Sequence, residues 1–272
     1  MTVLRSALLE REGFDLGFGT TRTTPDDYPE NIHILLQVHG ERIVVLTDNA
    51  ERPSTGPGTG GTQNAGGILK EREVPEVSGI WYLESGVAGD SVDVKIQNLP
   101  VSRFQFAEGD AMVSNVPGVS MGIRTADCLP LLIADRFRGT AAAVHCGWRS
   151  LAMGLAGKTV EVLRDVMGSR VEHLLAAIGP SIGPCCYEVG GEVKEAFPSG
   201  RSEDGLFEKR GQNLYLDLAS EVKTQLIMEG MAPETVDEIV GCTSCNPDLF
   251  WSWRARSDEG RMISYITVRE PF

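Results

Sequence analysis

Two side chains with chemistry lie at the ends of neighbouring apolar runs. Cys128 immediately precedes the run 129–134, and His145 immediately follows the run 140–144. If the runs form adjacent strands, a thiol and an imidazole meet at one end of a sheet, held by rigid elements rather than by a loop. Two chemistries could use that pair. Thiolate sulfur and imidazole nitrogen both bind zinc, and catalytic zinc sites take three protein donors with a fourth position open. Alternatively, Cys128 is a nucleophile and His145 its base, with a third group orienting the ring. Imidazoles are scarce, since the chain has only His33, His39, His145 and His173. His33 and His39 belong to or end the run 32–38, and a regular strand puts both on one face. A strand histidine is ordinarily structural, and His33 is read so.

The residues around the pair offer supporting roles. Asp127 precedes the thiol and could orient a ligand from behind, or simply turn the chain. Arg149, in the Gly147-Trp148-Arg149 turn, is the best phosphate contact, because a guanidinium fork matches phosphate oxygens. A salt-bridging surface arginine is the plain alternative. Trp148 could line a flat ligand pocket or pack in the core. Away from this stretch, Cys242-Thr-Ser-Cys245 could join Cys185 and Cys186 in a structural zinc knuckle. The adjacent pair after Pro184 is awkward for that, and buried small thiols are the simpler reading.

The elements that must position these groups are read from periodicity. Aliphatic and β-branched residues predict strands at 32–38 and 42–47, joined near Gly40. Further strands are expected at 78–84, 92–96, 174–178, 239–242, 250–253 and 262–268. A helical period predicts a helix over 151–167 with Ser150 as its cap, and others over 190–197 and 216–228. The glycine-rich stretch 51–67 has no Gly-Lys-Ser/Thr ending and reads as a mobile surface loop rather than a phosphate loop. Strands and helices interleave without a βαβ rhythm, and no internal repeat is visible. The expected fold class is therefore α+β, in a single catalytic domain spanning 1–272.

Composition narrows the partners. A formal charge of −13 argues against a nucleic-acid backbone, yet leaves room for a small anion held by one or two local cations. Neither a signal segment nor a membrane-length apolar run is seen, so a cytoplasmic chain without a membrane partner is expected. Six cysteines in 272 residues are too few for a disulfide-stapled domain and point to reduced thiols.

Several motifs together carry a family resemblance. GDAMVSN from Gly109, TADCLPLLIAD from Thr125, AAVHCGWRS from Ala142, IGPSIGPCCYEVGGEV from Ile178 and the closing CTSCNPDLFWSWRARSDEGR resemble one family. It is variously called multicopper polyphenol oxidase (laccase-like), peptidoglycan editing factor or purine nucleoside phosphorylase, and the match covers roughly 31–268. The resemblance implies a four-layer α/β/β/α sandwich with mixed sheets. Through Gln37-Val38-His39-Gly40 it adds His39 to Cys128 and His145 as a zinc ligand, with copper a weaker second choice. It also places Arg22, after Phe18-Gly-Thr-Thr, near the substrate, although Thr23-Thr24-Pro25 replaces the family's glycine pair. Cys146 stands where the family usually has alanine and would be an extra thiol beside the metal.

The catalytic set implied is Cys128, His145 and Asp127, with Arg149 and Arg22 on substrate or phosphate. The implied activity is zinc-dependent phosphorolysis of adenosine and inosine, together with adenosine deamination, by a monomer or homodimer. The alternatives are an amidase or cysteine hydrolase editing peptidoglycan precursors, or a noncatalytic zinc-binding module. Four histidines are too few for the histidine-rich multicopper sites of oxygen chemistry.

Overall fold

The computed structural model describes residues 3–29, 32–37, 39–47, 79–85, 92–96, 105–200 and 205–271. Stretch 51–67 lies outside the described residues. Two mixed sheets dominate. The larger has eight strands in the order β16 (Val236–Glu238), β12 (Leu174–Ile178), β10 (Leu129–Asp135), β11 (Ala141–Cys146), β8 (Ala111–Ser114), β4 (Ile43–Thr47), β5 (Gly79–Ser85) and β6 (Val92–Ile96). The second runs β1 (Val3–Leu4), β2 (Leu16–Gly19), β17 (Met262–Thr267), β9 (Ser120–Thr125), β3 (Ile32–Leu36) and β7 (Gln105–Glu108). A small third sheet joins β13 (Glu188–Val189), β15 (Asn213–Leu216) and β14 (Phe207–Arg210). The fold is α+β, as the interleaving predicts.

Alternation along β4, β8, β10 and β11 of the large sheet builds two cores. Val44, Leu46, Met112, Leu132, Ala134, Ala141 and Ala143 face Leu16, Phe18, Met121, Ile123 and Ile266 of the other sheet. Their neighbours Ile43, Val45, Val113, Leu131, Ile133 and Val144 turn the opposite way. There they meet Leu151 of α2 (Trp148–Ala152), Leu155, Val160 and Leu163 of α3 (Leu155–Asp165), and Val222 and Leu226 of α5 (Leu218–Met228). Each fully buried Leu, Ile or Val contributes about 1.5–3 kcal/mol, and because both faces are covered these strands read as continuous apolar runs.

Three local expectations are revised. The runs at 32–38 and 42–47 do form strands, but β3 pairs with β7 and β9 whereas β4 pairs with β5 and β8. The link at 37–42 therefore passes from one sheet to the other. The helix expected over 151–167 is broken by Gly154 in the left-handed region at φ 80°, and Ser150 lies inside α2, with Gly147 at its cap position. The Ser150 hydroxyl donates instead to the carbonyls of Gly147 and His145. No strand forms at 239–242 or 250–253. The first is displaced to β16, and the second becomes the start of α6 (Trp253–Arg256), capped by the Ser252 hydroxyl. The helix expected over 190–197 is α4 (Gly191–Ala196).

Candidate metal centre

His145 is the penultimate residue of β11, opposite Pro130, and Leu129 pairs with the last residue, Cys146, so Cys128 lies one step past the last paired residue. Residues 126–128 carry the chain from β9 in one sheet to β10 in the other. His39 occupies another such passage, between β3 and β4. Donor atoms of His39, Cys128 and His145 lie within 4.8 Å of one another at the edge of the seam between the sheets. The two imidazole rings meet edge-on, 5.2 Å between centroids.

Asp110, fully buried, holds the arrangement together. Its Oδ1 accepts from His145 Nδ1 at 2.9 Å and from the His39 backbone N–H at 3.0 Å, and its Oδ2 accepts from the Gly40 N–H at 2.6 Å. The Asp110 carbonyl accepts the His145 N–H at 2.7 Å. These bonds also hold His39 in the left-handed region at φ 57°, a conformation that costs a residue with a side chain roughly 1–2 kcal/mol. An ion pair between Glu41 and Lys158 ties the same passage to α3. Sequence reasoning missed Asp110, although the quoted GDAMVSN motif puts it directly before a buried strand.

The electrostatics leave donors of different kinds. Burial disfavours a charged His145, but the Cys128 and Asp110 side chains outweigh it and push the imidazole up to about 9, so a metal taken up there would displace a proton from the ring. Burial and the neighbouring His145 hold His39 below its ordinary value, Arg149 adding to the effect and Asp110 opposing it. His39 is therefore neutral at pH 7, with a nitrogen lone pair available. Gly147 leaves the space between the donors clear. A Cβ there would stand 3.5 Å from Cys128 Sγ, 3.7 Å from His145 Cε1 and 3.9 Å from His39 Cδ2. This mixed nitrogen and sulfur donor set, with an approach kept clear, fits a soft or borderline transition metal such as zinc.

Cys146 is not beside the three donors. Period two turns it to the opposite face, into the helix-side core, where burial raises its thiol well above the ordinary range. His33 is buried on β3 and belongs to neither cluster of potential ligands among the described residues. Asp127, at φ 94°, does not bond to the imidazole. Its carboxylate accepts from Thr243 Oγ1 at 2.6 Å and from the Arg254 N–H at 2.6 Å, and its carbonyl accepts the Ile182 N–H.

A cleft of about 330 Å³ opens over the three donors, lined also by Gln37, Arg124, Trp253 and Arg261. A second, of about 630 Å³, contains Trp148, Arg149, Tyr187 and Arg254. Arg149 is exposed, with its guanidinium over the Trp148 ring at 4.3 Å. Arg22 is exposed in the turn after β2 and lines neither cleft. Sequence reasoning missed Arg124, Trp253 and Arg261. Arg261 stands in the quoted closing motif, beside the pairing that sets Met262 against Thr125.

Residues 25–269 match the family model described as multi-copper polyphenol oxidoreductase laccase. The chain belongs to this family. It is 38% identical over 161 residues to the purine nucleoside phosphorylase YfiH of Escherichia coli (strain K12), covering 58% of this chain and 63% of the relative. An adenosine deaminase, RL5, from an unknown prokaryotic organism is 32% identical over 168 residues, covering 60% of this chain and 64% of the relative. Among solved structures, YlmD from Geobacillus stearothermophilus superposes with a TM-score of 0.57 at 31% identity, over 61% of this chain and 63% of that one. The matched part thus spans a little under two thirds of the length of each of these relatives. Membership and the His-Cys-His group together indicate a metal.

Proposed function

We propose that this protein is a zinc-dependent purine nucleoside phosphorylase. The observation that carries the proposal is the convergence of His39, Cys128 and His145, fixed by Asp110, beneath a cleft bearing Arg124 and Arg261 in an otherwise acidic chain. Relatives named purine nucleoside phosphorylase support the substrate class. Zinc would be held by those three side chains and would supply a Lewis acid.

The remaining work falls to the protein's own groups. Arg124 and Arg261, with Arg149 at the neighbouring cleft, supply guanidinium forks for phosphate oxygens. Trp253 offers an aromatic face to a purine at the same cleft. Phosphate held there attacks the anomeric carbon of the ribose as the bond to the base breaks, giving ribose 1-phosphate and free purine. Asp110 keeps His145 oriented through Nδ1, which turns the other ring nitrogen toward Cys128.

The test is release of hypoxanthine from inosine with and without phosphate, by wild type, Cys128→Ala and His145→Ala. Release that needs phosphate and is lost in both variants is expected. Zinc-loaded wild type that releases no base sinks the proposal. The relative named adenosine deaminase gives a second reading, deamination at the same centre. Ammonia released from adenosine without phosphate measures it. Contact between Cys128 and His145 also favours asking whether the thiol is a nucleophile. Rapid iodoacetamide labelling of Cys128 in the zinc-loaded protein would favour the hydrolase alternative over ligation.

A further inference from the structure

The cysteines outside the candidate centre are not scattered. Two turns bring four of them together. In the first, the N–H groups of Cys186 and Tyr187 both donate to the Gly183 carbonyl at 2.9 Å, which curls Pro184, Cys185 and Cys186 into a tight loop. In the second, the Asn246 backbone and side-chain amides both donate to the Cys242 carbonyl, closing the Cys242-Thr-Ser-Cys245 turn. A bridge between Ser181 and Cys242 aligns the two turns, and the Thr243 N–H donates to the Ser181 carbonyl at 3.0 Å. Sulfur atoms of Cys185, Cys186, Cys242 and Cys245 consequently lie within 4.8 Å of one another.

We propose that these four cysteines bind a structural zinc ion. Tetrahedral zinc–thiolate bonds of about 2.3 Å give sulfur–sulfur edges of about 3.8 Å. Cys245 Sγ stands 3.6 Å from Cys185 Sγ and 3.3 Å from Cys186 Sγ, near that edge length. A disulfide would single out one partner, whereas Cys245 is similarly close to both. All four are free thiols, and a two-iron cluster would need the sulfurs at its ends further apart than this cluster allows. The Gly183 N–H donates to Cys242 Sγ at 3.3 Å, a backbone bond suited to a thiolate ligand. The Arg210 guanidinium, which is paired with Glu208, also donates to the Cys185 carbonyl at 3.4 Å and so braces the first turn.

The role follows from what the turns carry. Thr243, inside the second turn, donates to Asp127, the residue before Cys128. Cys186 and Tyr187, in and just after the first, line the larger cleft. The ion would clip together two walls of the functional site without touching substrate. These four residues would hold the ion whatever reaction the first centre catalyses.

Zinc is counted per chain in purified protein in which His39, Cys128 and His145 are all changed to Ala. One equivalent is expected, with X-ray absorption showing four sulfur neighbours at about 2.3 Å. Adding Cys242→Ser and Cys245→Ser should remove it, and in the wild-type background those two changes should lower the melting midpoint while leaving zinc at the first centre. The first-centre variant decides the matter whether or not the serine variants fold. A folded first-centre variant without zinc, or an intact mass showing disulfides among these cysteines, overturns the proposal. So does iron in place of zinc. Absence of phosphorylase activity bears only on the earlier reading.

Discussion

Changing Asp110 to Asn tests the central geometric claim with almost no change in volume. The carboxylate now serves three donors: His145 Nδ1, the His39 N–H and the Gly40 N–H. An amide has one acceptor oxygen and one donor nitrogen. Oriented to keep Oδ1 toward the two histidines, it turns an NH₂ against the Gly40 N–H. Oriented the other way, it strands two donors. The half-buried Gly40 N–H loses its acceptor in the better case, and the bond to His145 loses its charge assistance, together costing about 2–5 kcal/mol. In a domain of this size the melting midpoint should fall by roughly 4–9 °C. Zinc affinity, read by competition with a chromogenic chelator, should weaken about 10- to 100-fold as His145 loses its orienting partner. Asp127→Asn is the control, because its carboxylate bonds to Thr243 and Arg254 rather than to a histidine. An Asp110→Asn chain melting within about 1 °C of wild type, with unchanged zinc affinity, would show that Asp110 does not hold the centre together.

Gly147→Ala should fold normally, since φ is −80°, but its methyl group would stand in van der Waals contact with all three donor side chains and occupy space beside them. Zinc binding should weaken by about 1–3 kcal/mol, measurable by the same competition assay, while the melting midpoint of the metal-free chain stays unchanged. Thr243→Val removes the hydroxyl bonded to Asp127 and should cost about 1–3 kcal/mol in urea denaturation; no loss would show that the bond carries no stability. Gln225→Leu should be worse. This buried amide donates to the Leu151 carbonyl and to Glu221, and accepts from Ala156 and Gly157, joining α5 to the α2–α3 junction. About 2–5 kcal/mol should be lost, and a shift under about 0.5 kcal/mol would contradict the assignment. Arg261→Ala should raise KM for phosphate more than it lowers kcat if the cleft holds the anion; an unchanged KM would remove Arg261 from that role.

The chain announces some of this arrangement and conceals the rest. Cys128 and His145 are legible because continuous apolar runs mark strands buried on both faces, and a short turn between them implies a hairpin. His39 comes from motif resemblance alone, since a histidine in the left-handed region follows no periodicity. Asp110 is one carboxylate among 38 acidic residues, and its role depends on a pairing that local sequence does not contain. The same is true of β3 and β4. Each run is plainly a strand, yet nothing in either says that they enter different sheets. The four-cysteine cluster is only half legible: its members can be named from the sequence, but the adjacent pair looks incompatible until a turn curls it toward a second, distant turn.

That passage of the chain between sheets has a kinetic consequence. His39 and Cys128 stand on separate links from one sheet to the other, so their donors converge only after the sheets have docked. An ion held there forms its bonds late in folding and breaks them early in unfolding. At a free-metal concentration of 100 times Kd it would slow unfolding by about 100-fold and leave the refolding rate nearly unchanged. A centre loaded in this way would act as a latch on the parting of the two sheets, and metal supply would set the lifetime of the folded protein.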